Sequence, residues 1–341
     1  MPTHNFNALN GRVETFIIHS ATLEGNLLGD PIDREVAVYL PPSYDTSTKE
    51  YPLLVDLVGY TGSGLSHASW KSFGESVPQR VERLVNAGDM GEVIIALPDC
   101  FTSLGGNQYI DSLAMGNWAA YLTDEMLPTI EKKFRVKPGA EHRGVFGKSS
   151  GGYGAIVHGM CHASHWGAVA CHSGDMAFDL VYRNDFAKTI MALDAAGGSI
   201  ESFMSGLASN QKISGADFET LMVLAMAATY DPDPSSPYGI QLPFTMDTCE
   251  IVPERWQAWL KWDPIEIIES ETAQRNLRSL KAVYIDCGSK DQYALAFGAR
   301  QFVRKLEQFG IQHCYAEFPD NHSSIDYRMD ESLPFLYRAL S

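Results

Sequence analysis

The segment Phe146-Gly147-Lys148-Ser149-Ser150-Gly151-Gly152 carries the pattern Gly-x-Ser-x-Gly, with Ser149 at its centre. It follows a short apolar run and leads into a helical stretch, the setting of a nucleophile on a sharp strand-to-helix turn. Such a turn strains the serine backbone, and flanking glycines keep side chains out of the tight crossing. The hydroxyl would stand above the strand's carboxyl end, beside the unpaired N–H groups of a helix N-terminus. A Gly-rich phosphate-binding turn is the competing reading. It is weakened because neither GxGxxG nor GxxxxGK followed by Ser or Thr occurs there.

A serine hydroxyl is a weak nucleophile and needs a base that is itself oriented by an acid. On a strand-turn-helix nucleophile the chain order is Ser, then Asp or Glu, then His. Asp291 lies in Cys287-Gly288-Ser289-Lys290-Asp291-Gln292, just past the apolar run Val283 to Cys287. Asp286 competes with it but falls inside that run. His322 lies in Phe318-Pro319-Asp320-Asn321-His322-Ser323, directly after the last apolar run. His313 precedes that run, and His158, His162, His165 and His172 all come before the acid. Ser149, Asp291 and His322 are therefore the candidate catalytic residues. The N–H of Ser150 is a natural oxyanion donor. A second donor should come from an early loop, Val58-Gly59-Tyr60-Thr61-Gly62-Ser63-Gly64, and is assigned to the Tyr60 N–H.

These residues need a frame. Val13 to Ile18 and Glu35 to Leu40 read as antiparallel strands, the second closed by Pro41-Pro42. Leu53 to Val58, Val93 to Leu97, Arg143 to Phe146, Trp166 to Cys171, Val283 to Cys287 and Cys314 to Phe318 read as buried strands. Helical stripes separate them: Val77, Val81, Leu84 and Val85, stopped by Gly88; Trp118, Leu122, Met126 and Ile130, which Pro128 should bend or restart; Leu295 to Phe309, stopped by Gly310; and a last helix over Leu333 to Leu340. The alternation predicts a mainly parallel central sheet flanked by helices. Candidate nucleophile, acid and base each follow one of its strands, so they should meet at one edge. Residues 178–280 lack convincing strands and hold helical stretches at Phe218 to Ala228 and Pro253 to Leu260. They read as a helical cap insertion within a single domain spanning 1–341.

Composition narrows the function classes. The chain has 341 residues, 45% of them hydrophobic, ample for a large core. A net charge of −16 argues against nucleic acid and anionic membrane surfaces as partners. The six cysteines form no CxxC pair and mostly read as small buried hydrophobes. The N-terminus lacks a basic segment followed by an apolar core, and no apolar run is long enough to span a bilayer. The expected location is cytoplasmic.

The sequence resembles the esterase D and enterochelin-esterase-like α/β-hydrolases, a family that includes S-formylglutathione hydrolases and feruloyl esterases. The resemblance runs from about Val36 onward and rests on VAVYLPPSYD, YPLLVDLVGYTGSG, NQYIDSLAMGNWAAYLTDEMLPTIEKKF, GVFGKSSGGYGA, CGSKD and NHSS. It implies the α/β-hydrolase fold. It also implies a Ser-Asp-His triad on Ser149, Asp291 and His322, backbone oxyanion donors at Tyr60 and Ser150, and no metal or cofactor. Many relatives have histidine where this chain has Val58, and methionine where it has Ser150; backbone donors survive both changes.

The expected activity is hydrolysis of a small-molecule carboxylic ester through an acyl-enzyme. An acyltransferase using the same site, and a non-catalytic binding protein on the same fold, are the alternatives. Gly59 together with Trp256 and Trp259, which share a helix face, could line an acyl pocket; core packing is the competing reading for the tryptophans. Oligomeric state is left open, a homo-oligomer included.

Overall fold

A computed structural model describes residues 4–341. The strands of its main sheet are β1 (Arg12–His19), β2 (Asp33–Leu40), β3 (Leu53–Leu57), β4 (Ile94–Pro98), β5 (Arg143–Lys148), β6 (Ala168–His172), β7 (Ala282–Gly288) and β8 (Cys314–Phe318). They lie in the order β1-β2-β4-β3-β5-β6-β7-β8. β1 pairs antiparallel with β2, and β2 with β4. Every pairing from β4 onward is parallel. β3, β4, β6 and β7 are buried along their whole lengths. That is why they read as mostly apolar runs, broken only by the buried Asp56, His172 and Asp286: helices cover both faces of a parallel sheet.

The helices between the strands are α1 (Gly64–Ala68), α2 (Val77–Ala87), α3 (Leu127–Lys133) and α4 (Ser150–Cys161). α2 begins with a capping box between Ser76 and Gln79 and ends at Gly88, whose φ of 80° closes the helix in the left-handed conformation. Ahead of α3 the chain makes a π-helical stretch at Tyr121–Met126, and Pro128 sits in the first turn of α3. Proline has no N–H to give, so the preceding turns widen and the helix continues without a break.

Between β6 and β7 run α5 (Phe178–Val181), α6 (Phe186–Ala195), α7 (Ile200–Ser209), α8 (Gly215–Tyr230), α9 (Pro253–Leu260), α10 (Pro264–Ile267) and α11 (Glu271–Ser279). The described residues of this stretch add no strand to the sheet. A single isolated bridge, Phe244 to Ile251, is its only extended pairing. The sequence located α8 and α9; α6 and α7 went unread. Asp263 ties the stretch together. Its Oδ1 accepts from the Ala177 N–H at 3.0 Å and its Oδ2 from the Phe178 N–H at 2.7 Å, across 86 and 85 residues of chain. The same Oδ1 caps α10 through the Ile265 N–H. α12 (Leu295–Gln308) and α13 (Met329–Leu340) complete the flanks. No helix among the described residues is long and apolar enough to cross a membrane.

Candidate active site

Ser149 occupies the turn between β5 and α4 with φ 57° and ψ −124°. A non-glycine residue held there stores roughly 1–3 kcal/mol of backbone strain. The turn leaves no choice. A Cβ on Gly147 or Gly151 would run into the carbonyl oxygen of Leu57 in β3, so α4 crosses β3 at a distance only glycine allows. The Ser149 N–H donates to the His172 carbonyl at 2.9 Å, and the Ser149 carbonyl accepts from the Tyr153 N–H at 2.8 Å. The hydroxyl makes no hydrogen bond and opens onto a cleft of about 280 Å³.

Asp291 and His322 come from the loops after β7 and β8. The loops are laced by backbone bonds: Ser289 N–H to Phe318 O at 2.8 Å, and Lys290 N–H to Asp320 O at 2.9 Å. This lacing sets Asp291 Oδ2 2.7 Å from His322 Nδ1. The Asp291 side chain is fully buried, and its Oδ1 accepts from the Tyr293 N–H at 2.9 Å. The Gln292 side chain accepts from the His322 N–H at 3.0 Å, and the Tyr293 ring stands edge-on to the imidazole at 5.0 Å. His322 lines the same cleft as Ser149, without a direct hydrogen bond between them. Such contacts are commonly long before substrate binds.

The first loop runs alongside the nucleophile. A Cβ at Gly59 would lie 3.4 Å from the Ser149 Cβ. Gly59, Tyr60 and Ser150 all line the cleft. The N–H groups of Tyr60 and Ser150 have no backbone acceptor. The Tyr60 hydroxyl donates to the Leu104 carbonyl at 2.6 Å and its ring meets Phe218 at 5.3 Å, which pins the loop.

Trp256 and Trp259 do not line the cleft. Trp259 is completely buried, with its ring 5.4 Å from Tyr230, 5.8 Å from Tyr182 and 5.6 Å from Trp256. The shared helix face is real but looks into an aromatic core, where burial of large rings gains most. Trp259→Ala is therefore expected to cost about 3–5 kcal/mol of stability. Chemical denaturation of the variant against the parent protein checks this.

The cleft also holds residues the sequence did not single out. Val181, Tyr182, Phe218, Met222 and Leu295 give it an apolar portion. Asp175 sits there with Oδ2 accepting from Gln108 Nε2 at 2.9 Å and from the Tyr182 hydroxyl at 2.8 Å; burial raises its pKa. Asp175 follows the end of β6, so asking which polar residues trail every parallel strand would have found it. His67, Lys148 and Asp326 form a charged portion. His67 Nδ1 lies 2.6 Å from the buried Asp56 Oδ2. Burial opposes the imidazolium, but the Asp56 carboxylate outweighs it and raises the His67 pKa.

A second Ser-His-Asp arrangement lies inside the core. His172 Nδ1 is 2.7 Å from Asp286 Oδ1, and His172 Nε2 is 2.8 Å from the Ser332 hydroxyl. Arg328 and Tyr284 also donate to Asp286, and although burial opposes its charge, His172 and Arg328 hold its pKa below the ordinary value. Ser332 is fully buried in α13 and lines none of the described clefts. This trio fastens α13 and the segment after His322 to the sheet. Both aspartates thus pair with a histidine, and only the Asp291 pair reaches a cleft.

The match to known proteins fits this layout. The esterase family model, described as "Putative esterase", matches residues 31–330. The chain belongs to the esterase family. An esterase of Mycobacterium tuberculosis is 28% identical over 178 residues, which are 48% of this chain and 35% of that protein. The chain thus matches about a third of the length of that curated relative. Among solved structures, a ferulic acid esterase superposes with a TM-score of 0.63 at 22% identity, covering 97% of this chain and 100% of that one. An S-formylglutathione hydrolase from Agrobacterium tumefaciens gives 0.58 at 16% identity, with 99% of both chains covered. At these identities the likeness is one of fold. The family and these neighbours share the mainly parallel, helix-flanked sheet.

Proposed function

We propose that this protein is a serine hydrolase of small-molecule carboxylic esters and that Ser149, His322 and Asp291 form its triad. The observation that carries the reading is the Asp291-supported imidazole of His322 in the one cleft that also holds the strained elbow serine. His322 Nε2 takes the Ser149 proton as Oγ bonds to the ester carbonyl carbon. The Tyr60 and Ser150 N–H groups stabilise the oxyanion. Collapse breaks the bond to the leaving oxygen, which receives that proton from His322. Water then adds to the acyl-enzyme by the same route, releasing the acid and restoring Ser149. Helices α5 to α11 act as a cap: Val181 of α5, Tyr182 just after it, and Phe218 and Met222 of α8 make the apolar portion that takes the acyl group.

A fluorophosphonate probe tests this by titrating the activated serine. Parent protein and Ser332→Ala should both label, while Ser149→Ala should not. Ser332→Ala leaves a buried imidazole nitrogen without its partner, so it is expected to lose about 1–3 kcal/mol of stability while still labelling. Labelling that survives in Ser149→Ala but vanishes in folded Ser332→Ala would move the nucleophile to the core trio and end the proposal.

A further inference from the structure

The charged portion of the cleft holds a cation without a counter-ion. Lys148 ends β5, immediately before Ser149, and its half-buried side chain lines the cleft. Among the described residues no carboxylate lies within ion-pair distance of its ammonium, and it makes no hydrogen bond. The acidic residue beside it, Asp326, is engaged by Lys71 at 2.9 Å. The His67 imidazole, held by Asp56, lines the same portion. This cluster stands in a protein of net charge −16. A partly desolvated ammonium with no ion-pair partner costs folding free energy, and an anion placed against it reduces that cost.

Resting on the reading of Ser149 as the nucleophile, the geometry points to Lys148 as the specificity residue for esters whose leaving group carries a carboxylate. The acyl group occupies the apolar portion under α5 and α8. The departing alcohol lies over the end of β5, where Lys148 Nζ meets its carboxylate. The Lys148 ammonium also draws the anionic substrate into the cleft against the acidic surface around it.

The test compares 3- and 4-acetoxybenzoate with their methyl esters, each rate divided by the uncatalysed rate of the same compound. For at least one positional isomer the parent protein should favour the carboxylate in kcat/KM by about tenfold, the order expected of one partly desolvated charge pair. Added salt should shrink that preference. Lys148→Met should bring the ratio close to one, Lys148→Arg should keep it, and Lys148→Glu should invert it. Circular dichroism confirms that each variant is folded. Equal turnover of acid and methyl ester by the parent protein, or an undiminished ratio in Lys148→Met, overturns the assignment. Failure of the parent protein to hydrolyse any of the four compounds, with no fluorophosphonate labelling, overturns the hydrolase reading and this inference with it. Labelling without turnover overturns the inference alone.

Discussion

Ser149→Ala is expected to lower kcat for p-nitrophenyl acetate by about 10⁵-fold while leaving the protein folded. The size follows from the proposed role of Ser149 as the attacking oxygen, whose loss in comparable triads costs as much as removing the whole triad. The fold should tolerate the change because the Ser149 hydroxyl makes no hydrogen bond, so its removal strands no partner. Alanine inherits the same φ of 57°, so the backbone strain neither grows nor disappears. What remains is catalysis by the Tyr60 and Ser150 N–H groups acting on water. Stopped-flow and steady-state assays on enzyme purified free of parent protein measure it. A variant keeping a tenth of parental kcat would remove Ser149 from the chemistry.

The second large effect is expected from Asp291→Asn, a fall in kcat of about 10³- to 10⁴-fold with KM little changed. The argument is one of tautomers. Asp291 Oδ1 is committed to the Tyr293 N–H, and Oδ2 faces His322 Nδ1. Asparagine keeps its single oxygen on the Tyr293 N–H and turns its amide NH₂ toward Nδ1. Nδ1 must then be the lone pair and Nε2 carries the proton, so the imidazole cannot accept one from Ser149. Asp291 does not line the cleft, which is why KM should hold. A loss below tenfold, or a loss confined to KM, would mean that the imidazole is oriented by something else.

Much of this site was readable because a parallel sheet turns chain position into spatial position. Ser149, Asp291 and His322 each trail a strand, and strand ends in one sheet share an edge. The elbow was readable because its sterics allow so few residues: Gly147 and Gly151 face the Leu57 carbonyl. Other features carry no such local signature. Spacing placed Trp256 and Trp259 on one helix face but could not say which way that face turns, and it turns inward onto Tyr182 and Tyr230. Of the cysteines expected to be buried from their apolar surroundings, Cys171 and Cys287 are buried but Cys314 is only half-buried, and Cys161 is exposed at the end of α4. His172 and Ser332 sit 160 residues apart, and nothing in their neighbourhoods announces that they meet. Asp286 was set aside for lying within a strand, and that location buries it away from the cleft.

The clamp made by Asp263 has a further consequence. Because one carboxylate holds Ala177 and Phe178 beside the turn into α10, helices α5 to α9 form a closed loop whose two feet touch. The spacing of those two feet is then held whatever the number of residues between them. Such a stretch can be lengthened or shortened away from Tyr182, Phe218 and Ala228, its contacts with the residues below, without moving its feet. On the proposed reading, the exposed parts of that loop can vary while the strand-end loops carrying Ser149, Asp291 and His322 keep their own bonds.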